Sequence, residues 1–224
     1  MAAAWKDDAG LFEIVAAELY TAVVGDVLDE LGHRRQFLPP GIQPLAGDMR
    51  LIGRCMPVLE ADVYAERNEE RPFGLMLKAL DDLKPREVYV VTGSSPTYAL
   101  WGEIMTAAAI ARGASGVVCD GYLRDTHGIL AQSFPAFALG SYAQDQRGRG
   151  EVIDFRCPIQ IGDVEITPGD IIMGDVDGVL VVPQRAEQEA FTRAIEKART
   201  EKTVMDDVRN GMLTEAAFRK HGIL

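Results

Sequence analysis

Apolar positions recur along the chain at two periods, and the places where the period changes outline its elements. In "LFEIVAAELYTAVVGDVLDELGHRR", Leu11, Ile14 and Val15 fall at helical spacing, and Val24, Val27, Leu28 and Leu31 do so again. The spacing predicts helix interrupted near Thr21, with Thr21 as N-cap of the second piece and Gly32 as its stop. "LPPGIQPLAGDM" is rich in Pro and Gly and is expected to be a loop. "RLIGRCMPVLEAD" reads as a strand with a glycine interruption, and "FGLMLKALDDLKPREV" as an amphipathic helix ending before Pro85. "EVYVVTG", "SGVVCDG" and "FPAFALG" read as short buried strands. Between the first two of these, "YALWGEIMTAAAIARG" reads as one helix with small residues on a side, stopped by Gly113.

Strand, helix and strand joined by short glycine-containing turns argue for an α/β layer arrangement. From Val152 to Pro183 the helical period disappears. "VIDFRCPIQIGDVEITPGDIIMGDVDGVLVVP" alternates apolar runs with Gly-Asp and Pro-Gly-Asp turns, which predicts a β meander packed as a second sheet. The tail "AEQEAFTRAIEKARTEKTVMDDVRNGM" is a charged helix with apolar positions at Phe191, Ile195 and Ala198. With no repeat or linker, residues 1–224 read as one domain, with a core over about 20–185 and a helical arm over 186–224.

Composition narrows the functional classes. The net charge of −11 disfavours sequence-independent nucleic-acid binding, which depends on neutralising phosphates with Lys and Arg. Cys55, Cys119 and Cys157 lack CxxC spacing and read as small apolar residues of a reduced protein. No apolar run approaches a membrane span, and "MAAAWKDDAG" lacks the basic and apolar regions of a signal peptide, so a cytoplasmic protein is expected.

The chemistry-bearing residues stand at element ends. The helix expected to begin near Trp101 has first-turn amides without intrahelical partners, so the N–H groups of Gly102, Glu103, Ile104 and Met105 form a candidate anion site. Glu103 itself has a simpler role open to it, complementing the helix dipole. The run "VVCDGYLRD" carries a buried strand into a turn that ends in Arg124 and Asp125. In layered α/β folds the crevice beyond the strand C-termini is the usual ligand site, and this topology places Glu103, Arg124 and Asp125 at one sheet edge. Two carboxylates suit a hard divalent cation, Mg²⁺ or Mn²⁺, while a guanidinium and amides suit an anionic, oxygen-rich substrate. A metal and an arginine facing a 2-oxo acid stabilise the enolate formed when its C3–C4 bond breaks. No lysine joins the cluster, which weighs against Schiff-base chemistry.

An acidic residue, twenty intervening residues and then Arg-Asp resembles the signature of the RraA-like family. That family comprises class II 4-hydroxy-4-methyl-2-oxoglutarate / 4-carboxy-4-hydroxy-2-oxoadipate aldolases and the regulator of ribonuclease E activity A. "TAVVGDVLDELG", "PLAGDMRLIGRC", "GASGVVCDGYLRD" and "TPGDIIMGDVDGVLVVP" match its pieces in order, over roughly residues 20 to 212. The resemblance implies a layered α/β/β/α sandwich of the swivelling β/β/α type. It implies that Arg124 binds pyruvate oxygens, that Asp125 ligates the metal, and that the amides of Ile104 and Met105 hold the substrate carboxylate. It also implies that Glu201, from a neighbouring subunit's C-terminal helix, completes the metal's water shell in a homotrimer or homohexamer. The family's aldolases usually carry Asp where this chain has Glu103. The leading expectation is thus a metal-dependent lyase that releases pyruvate from a 4-hydroxy-2-oxo acid, with oxaloacetate decarboxylation as a related activity. A non-enzymatic regulator that docks on a ribonuclease is the alternative.

Other residues carry weaker signals. His127 is either a proton carrier at the site mouth or a solvated loop residue. His33 and His221 lack a metal-ligand partner at useful spacing. "GSSPTY" (93–98) either lines the anion site or is a plain loop. Asp175 and Asp177 fit an Asp-Gly hairpin better than calcium. Glu66, Arg67, Glu69, Glu70 and Arg71 read as a solvated loop, and as the place where a substrate lid differs between relatives.

Overall fold

The computed structural model describes residues 5–64 and 72–223; the charged stretch from Glu66 to Arg71 lies outside them. Two helices, α1 (Asp8–Glu18) and α2 (Thr21–Glu30), lead into β1 (Gln43–Pro44) and the long strand β2 (Leu51–Asp62). Next come α3 (Met76–Asp82), β3 (Glu87–Thr92), β4 (Ala99–Trp101), α4 (Glu103–Ala111) and β5 (Gly116–Cys119). They are followed by β6 (Tyr122–Leu123), α5 (Thr126–Ala131), β7 (Ala136–Ala138) and β8 (Gly140–Ser141). The last third holds β9 (Gly150–Phe155), β10 (Ile159–Ile161), β11 (Val164–Ile166), β12 (Ile171–Asp175) and β13 (Gly178–Val182). It ends in α6 (Gln184–Arg209) and α7 (Thr214–His221).

The main sheet has the order β1-β7-β5-β3-β2-β12-β13, with β9 also paired to β2. Its centre, β2, β3, β5 and β7, is parallel, and β1, β9, β12 and β13 join antiparallel. The first strand approaches the last, so the sheet curls nearly closed. Period-2 alternation then sorts each strand between two faces. Val88, Val90, Val118 and Val181 point inward, where the β10–β11 hairpin plugs the interior with Ile161 and Val164. Tyr89, Val91 and Cys119 point outward beneath α3, α4 and α5. Met173, Leu180 and Val182 do so beneath α1, α2 and α6. This is the expected mixed α/β fold, with helices on the outer face at opposite sides of the curled sheet and the hairpin inside it, and burial of both strand faces explains the unbroken apolar runs.

Four local expectations are corrected. Gly53 does not interrupt β2; a side chain there would meet the Arg86 carbonyl at 2.5 Å, so the strand continues because the position is bare. The 152–183 meander does not pack as one second sheet; only β10 and β11 pair apart from the main sheet, as a two-stranded one. Its strands β9, β12 and β13 belong to the main one, and the separate three-stranded sheet is instead β4-β6-β8. Residues Ala99–Trp101 are strand rather than helix, because they pair in parallel with β6, with a bulge between Ala99 and Trp101. Thr21 does not cap α2; it is the helix's first residue and donates instead of accepting. Its N–H and Oγ1 each donate to Asp175, at 2.7 Å, so a carboxylate at the β12–β13 turn serves as a cap supplied from far away in sequence.

A second carboxyl is buried with less compensation. Glu60 of β2 is 2% exposed, and among the described residues its Oε1 finds no hydrogen-bond partner. Burial pushes its carboxyl up to about 8, against the opposing pull of the nearby Tyr98 hydroxyl.

Replacing Asp175 with Ala is expected to destabilise the protein by about 1–3 kcal/mol, read from urea unfolding, since it orphans a buried amide and a buried hydroxyl. Glu60 imposes a pH dependence of definite sign. The unfolded chain releases this proton near the ordinary 4.5, the folded chain only near 8, so stability falls as pH climbs between the two. Glu60→Gln is expected to flatten that fall, measured as the loss in Tm from about pH 5 to about pH 8. An unchanged slope would contradict the assignment.

Candidate functional site

The small sheet assembles the site. Strands β4 and β6 pair in parallel, with Ala99 opposite Tyr122 and Trp101 opposite Leu123. The Arg124 N–H then donates to the Trp101 carbonyl at 2.9 Å, so the residues that leave the two strands emerge side by side. One exit, Gly102, opens α4; the other, Arg124-Asp125, opens α5. A Cβ on Gly102 would lie 2.9 Å from Asp125 Oδ2 and 3.4 Å from Arg124 Cγ, so glycine is required here for close approach. Trp101 fixes the start of α4 from below. It is buried, its Nε1–H donates to Thr106 Oγ1 at 2.7 Å, and its ring stacks on Phe134.

Above this junction lies a cavity of about 400 Å³ lined at one end by Gly102, Met105, Arg124, Asp125, Asp145 and Gln146. Amides of the first turn of α4 have no acceptor within the helix and carry the positive end of its dipole. The Arg124 guanidinium is held between two carboxylates: Nη1 pairs with Asp145 Oδ1 at 2.9 Å, and Nε stands 3.5 Å from Asp125 Oδ2. Asp125 adopts φ +54° and ψ +35°, a left-handed conformation that Asp tolerates better than most residues.

Asp145 was not visible in the sequence. It sits in "SYAQDQRGRG", an irregular stretch with no period and no motif. Its loop is tied to β4 by the Ala99 N–H, which donates to the Gln144 carbonyl at 2.9 Å, and that tie brings the carboxylate to Arg124.

The other expected residues lie at varying distances from this point. The first-turn residues Ile104 and Met105 line the cavity. Glu103 does not; it is exposed at the same corner but lies over α5, where a Cβ on Gly128 would come within 2.5 Å of its Oε2. His127 is exposed in the first turn of α5. Glu201 sits on α6, away from this cavity, and accepts a 2.5 Å hydrogen bond from the Tyr20 hydroxyl. Burial first, and then that carboxylate, push the Tyr20 hydroxyl up to about 12. "GSSPTY" does not line the cavity: the Ser95 N–H and the Tyr98 hydroxyl both donate to Asp62, at 2.9 and 3.1 Å, which makes it a tethered loop.

Among the described residues no group of three or more His, Cys, Asp and Glu side chains is gathered as a cation cage. Magnesium does not require one, because it is usually held by one or two carboxylates with water and substrate oxygens filling the other positions. The Asp125 carboxylate is half-exposed at the cavity, and its 3.5 Å approach to Arg124 leaves oxygen lone pairs for a cation. The donor set therefore fits a water-rich Mg²⁺ or Mn²⁺ site.

A Halalkalibacterium halodurans protein named as a candidate 4-hydroxy-4-methyl-2-oxoglutarate aldolase is 31% identical over 180 residues, covering 79% of this chain and 79% of that protein. Protein DlpA of Legionella pneumophila is 28% identical over 88% of this chain, which spans only 31% of DlpA's length. RraAS2 of Streptomyces coelicolor, an unusual member of the RNase ES inhibitor RraA protein family, superposes with a TM-score of 0.76. Its identity is 23%, with 89% of this chain and 98% of that one covered, a likeness of fold. The RraA-like model, Aldolase/RraA, matches residues 21–181, more than half of the sequence, and on that match the chain belongs to the RraA-like family.

Proposed function

We propose that the protein is a divalent-metal-dependent lyase. It cleaves a 4-hydroxy-2-oxo acid to pyruvate and an oxo acid, and decarboxylates oxaloacetate by the same bond-breaking step. The observation that carries this reading is the convergence of Arg124, Asp125 and the first amides of α4 on one cavity. Relatives named as 4-hydroxy-4-methyl-2-oxoglutarate aldolases support an aldolase-type lyase.

In this reading the amides of Ile104 and Met105, with that of Gly102, hold the substrate carboxylate, and Arg124 faces its 2-oxo oxygen. The 4-hydroxyl passes its proton to a solvent water, which later returns one to C3, and C4 becomes a carbonyl as the C3–C4 bond breaks. The electron pair moves toward the 2-oxo oxygen, and C3 is later protonated to give pyruvate. Arg124, oriented beforehand by Asp145, stabilises the charge that develops on that oxygen without having to reorganise. A bound Mg²⁺ or Mn²⁺, held by Asp125 and through water by Glu103 and Glu201 of the partner subunit, would supply Lewis-acid polarisation of the same oxygen. That role for Glu201 makes the active form a homo-oligomer, a trimer or hexamer. No lysine lines the cavity among the described residues, consistent with chemistry that needs no Schiff base.

The test is pyruvate release from oxaloacetate and from 4-hydroxy-4-methyl-2-oxoglutarate, with added Mg²⁺ or Mn²⁺. Chelation is expected to abolish turnover and metal to restore it. Arg124→Ala and Asp125→Asn are each expected to lower kcat/KM by about 10²–10³-fold with the circular dichroism spectrum unchanged. Full activity in either variant overturns the assignment. Absence of turnover together with tight ribonuclease binding in a pull-down gives the chain to the regulator reading instead.

A further inference from the structure

Glu60 does not line the cavity, yet polar side chains join it to solvent on one side and to the cavity on the other. On the solvent side stands Tyr98, buried just before β4. Its hydroxyl donates to the exposed Asp62 at 3.1 Å and also reaches Glu60. With its proton turned to Asp62, that hydroxyl offers a lone pair to the O–H of a neutral Glu60. Strand β9 opens on Gly150 because these two tips fill the space of a side chain. A Cβ there would lie 1.8 Å from Tyr98 Oη and 2.6 Å from Glu60 Oε1.

On the cavity side stands Gln146, which is 4% exposed and lines the cavity next to Asp145. Its carbonyl accepts from the Gly150 N–H at 3.1 Å, which sets the side chain against the Glu60 carboxyl. Gln146 Nε2 and Glu60 Oε1 are both buried, and among the described residues neither has a direct partner. A donor and an acceptor that face each other in this way are the polar partners of a bridging water. One loop thus serves two ends of the site: Asp145 orients Arg124, and Gln146 connects the cavity to Glu60. Other titratable groups face Glu60 from β3 and β5. Burial pushes the Tyr89 hydroxyl and the Cys119 thiol well up, so both stay neutral. Against its own burial, the Ser95 and Tyr98 donors hold the Asp62 carboxyl below the usual range, so it is charged. Burial holds the Glu60 proton up to about 8, so at neutral pH this carboxyl carries a proton ready to be given.

We propose that Glu60 is the proton store of the site, exchanging with C3 of the bound 2-oxo acid through a water held by Gln146, and with solvent through Tyr98 and Asp62. The proposal rests on the lyase reading for the enolate. As the 2-oxo carbonyl re-forms, the C3 electron pair takes a proton from the water, which takes the Glu60 proton in turn. The Glu60 carboxylate then receives the Tyr98 proton, and Tyr98 regains one from solvent by way of Asp62. A 4-hydroxy-2-oxo acid gives that water its own 4-hydroxyl proton, whereas oxaloacetate brings none, so the store matters most for decarboxylation. Glu60 acts through the water and is a positioning residue for the proton.

Proton transfer at C3 and bond breaking are read separately. With Mg²⁺ and saturating pyruvate in D₂O, deuterium entering the pyruvate methyl is followed by NMR. First-turnover loss of oxaloacetate is followed by absorbance with the protein in excess. In the parent protein, exchange is expected to rise with pH and level off near the Glu60 value of about 8. Glu60→Gln is expected to slow exchange at least about tenfold and remove the inflection, with oxaloacetate loss within about twofold of the parent. Gln146→Leu, which leaves the carboxyl in place, is expected to slow exchange in the same way and reports alone where Glu60→Gln does not fold. Unchanged exchange in either variant overturns the proposal, as does an inflection that survives Glu60→Gln. An equal fall in exchange and oxaloacetate loss also overturns it, since a merely structural role does that. A parent protein that consumes oxaloacetate but does not exchange pyruvate overturns the store alone; one that does neither overturns the lyase reading and the store with it.

Discussion

The site depends on the parallel pairing of two very short strands. Strands β4 and β6 contribute five residues between them, yet their register decides that Gly102 and Arg124 leave the sheet at the same level. Everything chemical follows from that pairing: the helix amides, the guanidinium and the Asp125 carboxylate are neighbours because two backbones exit together. A slip of one residue would send the Arg124 side chain to the opposite face. The buried Trp101, locked to Thr106 and stacked on Phe134, protects the register by making a slip costly in packing.

Much of this was legible in the sequence. The apolar runs of β3, β5 and β7, the Asp-Gly hairpin at Asp175 and the amphipathic α3 carry strong local signals, and Arg124-Asp125 at the end of an apolar strand declared its place. What could not be read has a common cause, namely contacts between residues far apart. The strand character of Ala99–Trp101 comes from pairing with β6, and nothing in "ALW" distinguishes it from the first turn of the helix that follows. The cap of α2 comes from Asp175, 154 residues onward. Asp145 acquires its meaning only when its loop is tied to β4. A local pattern records which face of an element is buried; it does not record which distant carboxylate arrives there.

In a chain with a net charge of −11, the described lining of the site sets the Arg124 guanidinium among acids. Two carboxylates steer Arg124 while leaving it partly exposed, so the cavity presents a fixed positive group in an otherwise negative surrounding. Such a surrounding weakens long-range attraction for anionic ligands, so their binding depends on contacts made inside the cavity.

The left-handed backbone at Asp125 ties geometry to chemistry at one position. A residue there must accept positive φ, which asparagine and glycine do readily and β-branched residues do poorly. Variation at this position is therefore confined to a few small residues by the turn itself, before any demand of catalysis is considered. Relatives that have abandoned the chemistry should still show Asp, Asn or Gly there, so an aspartate at this corner identifies the turn more surely than it identifies an enzyme.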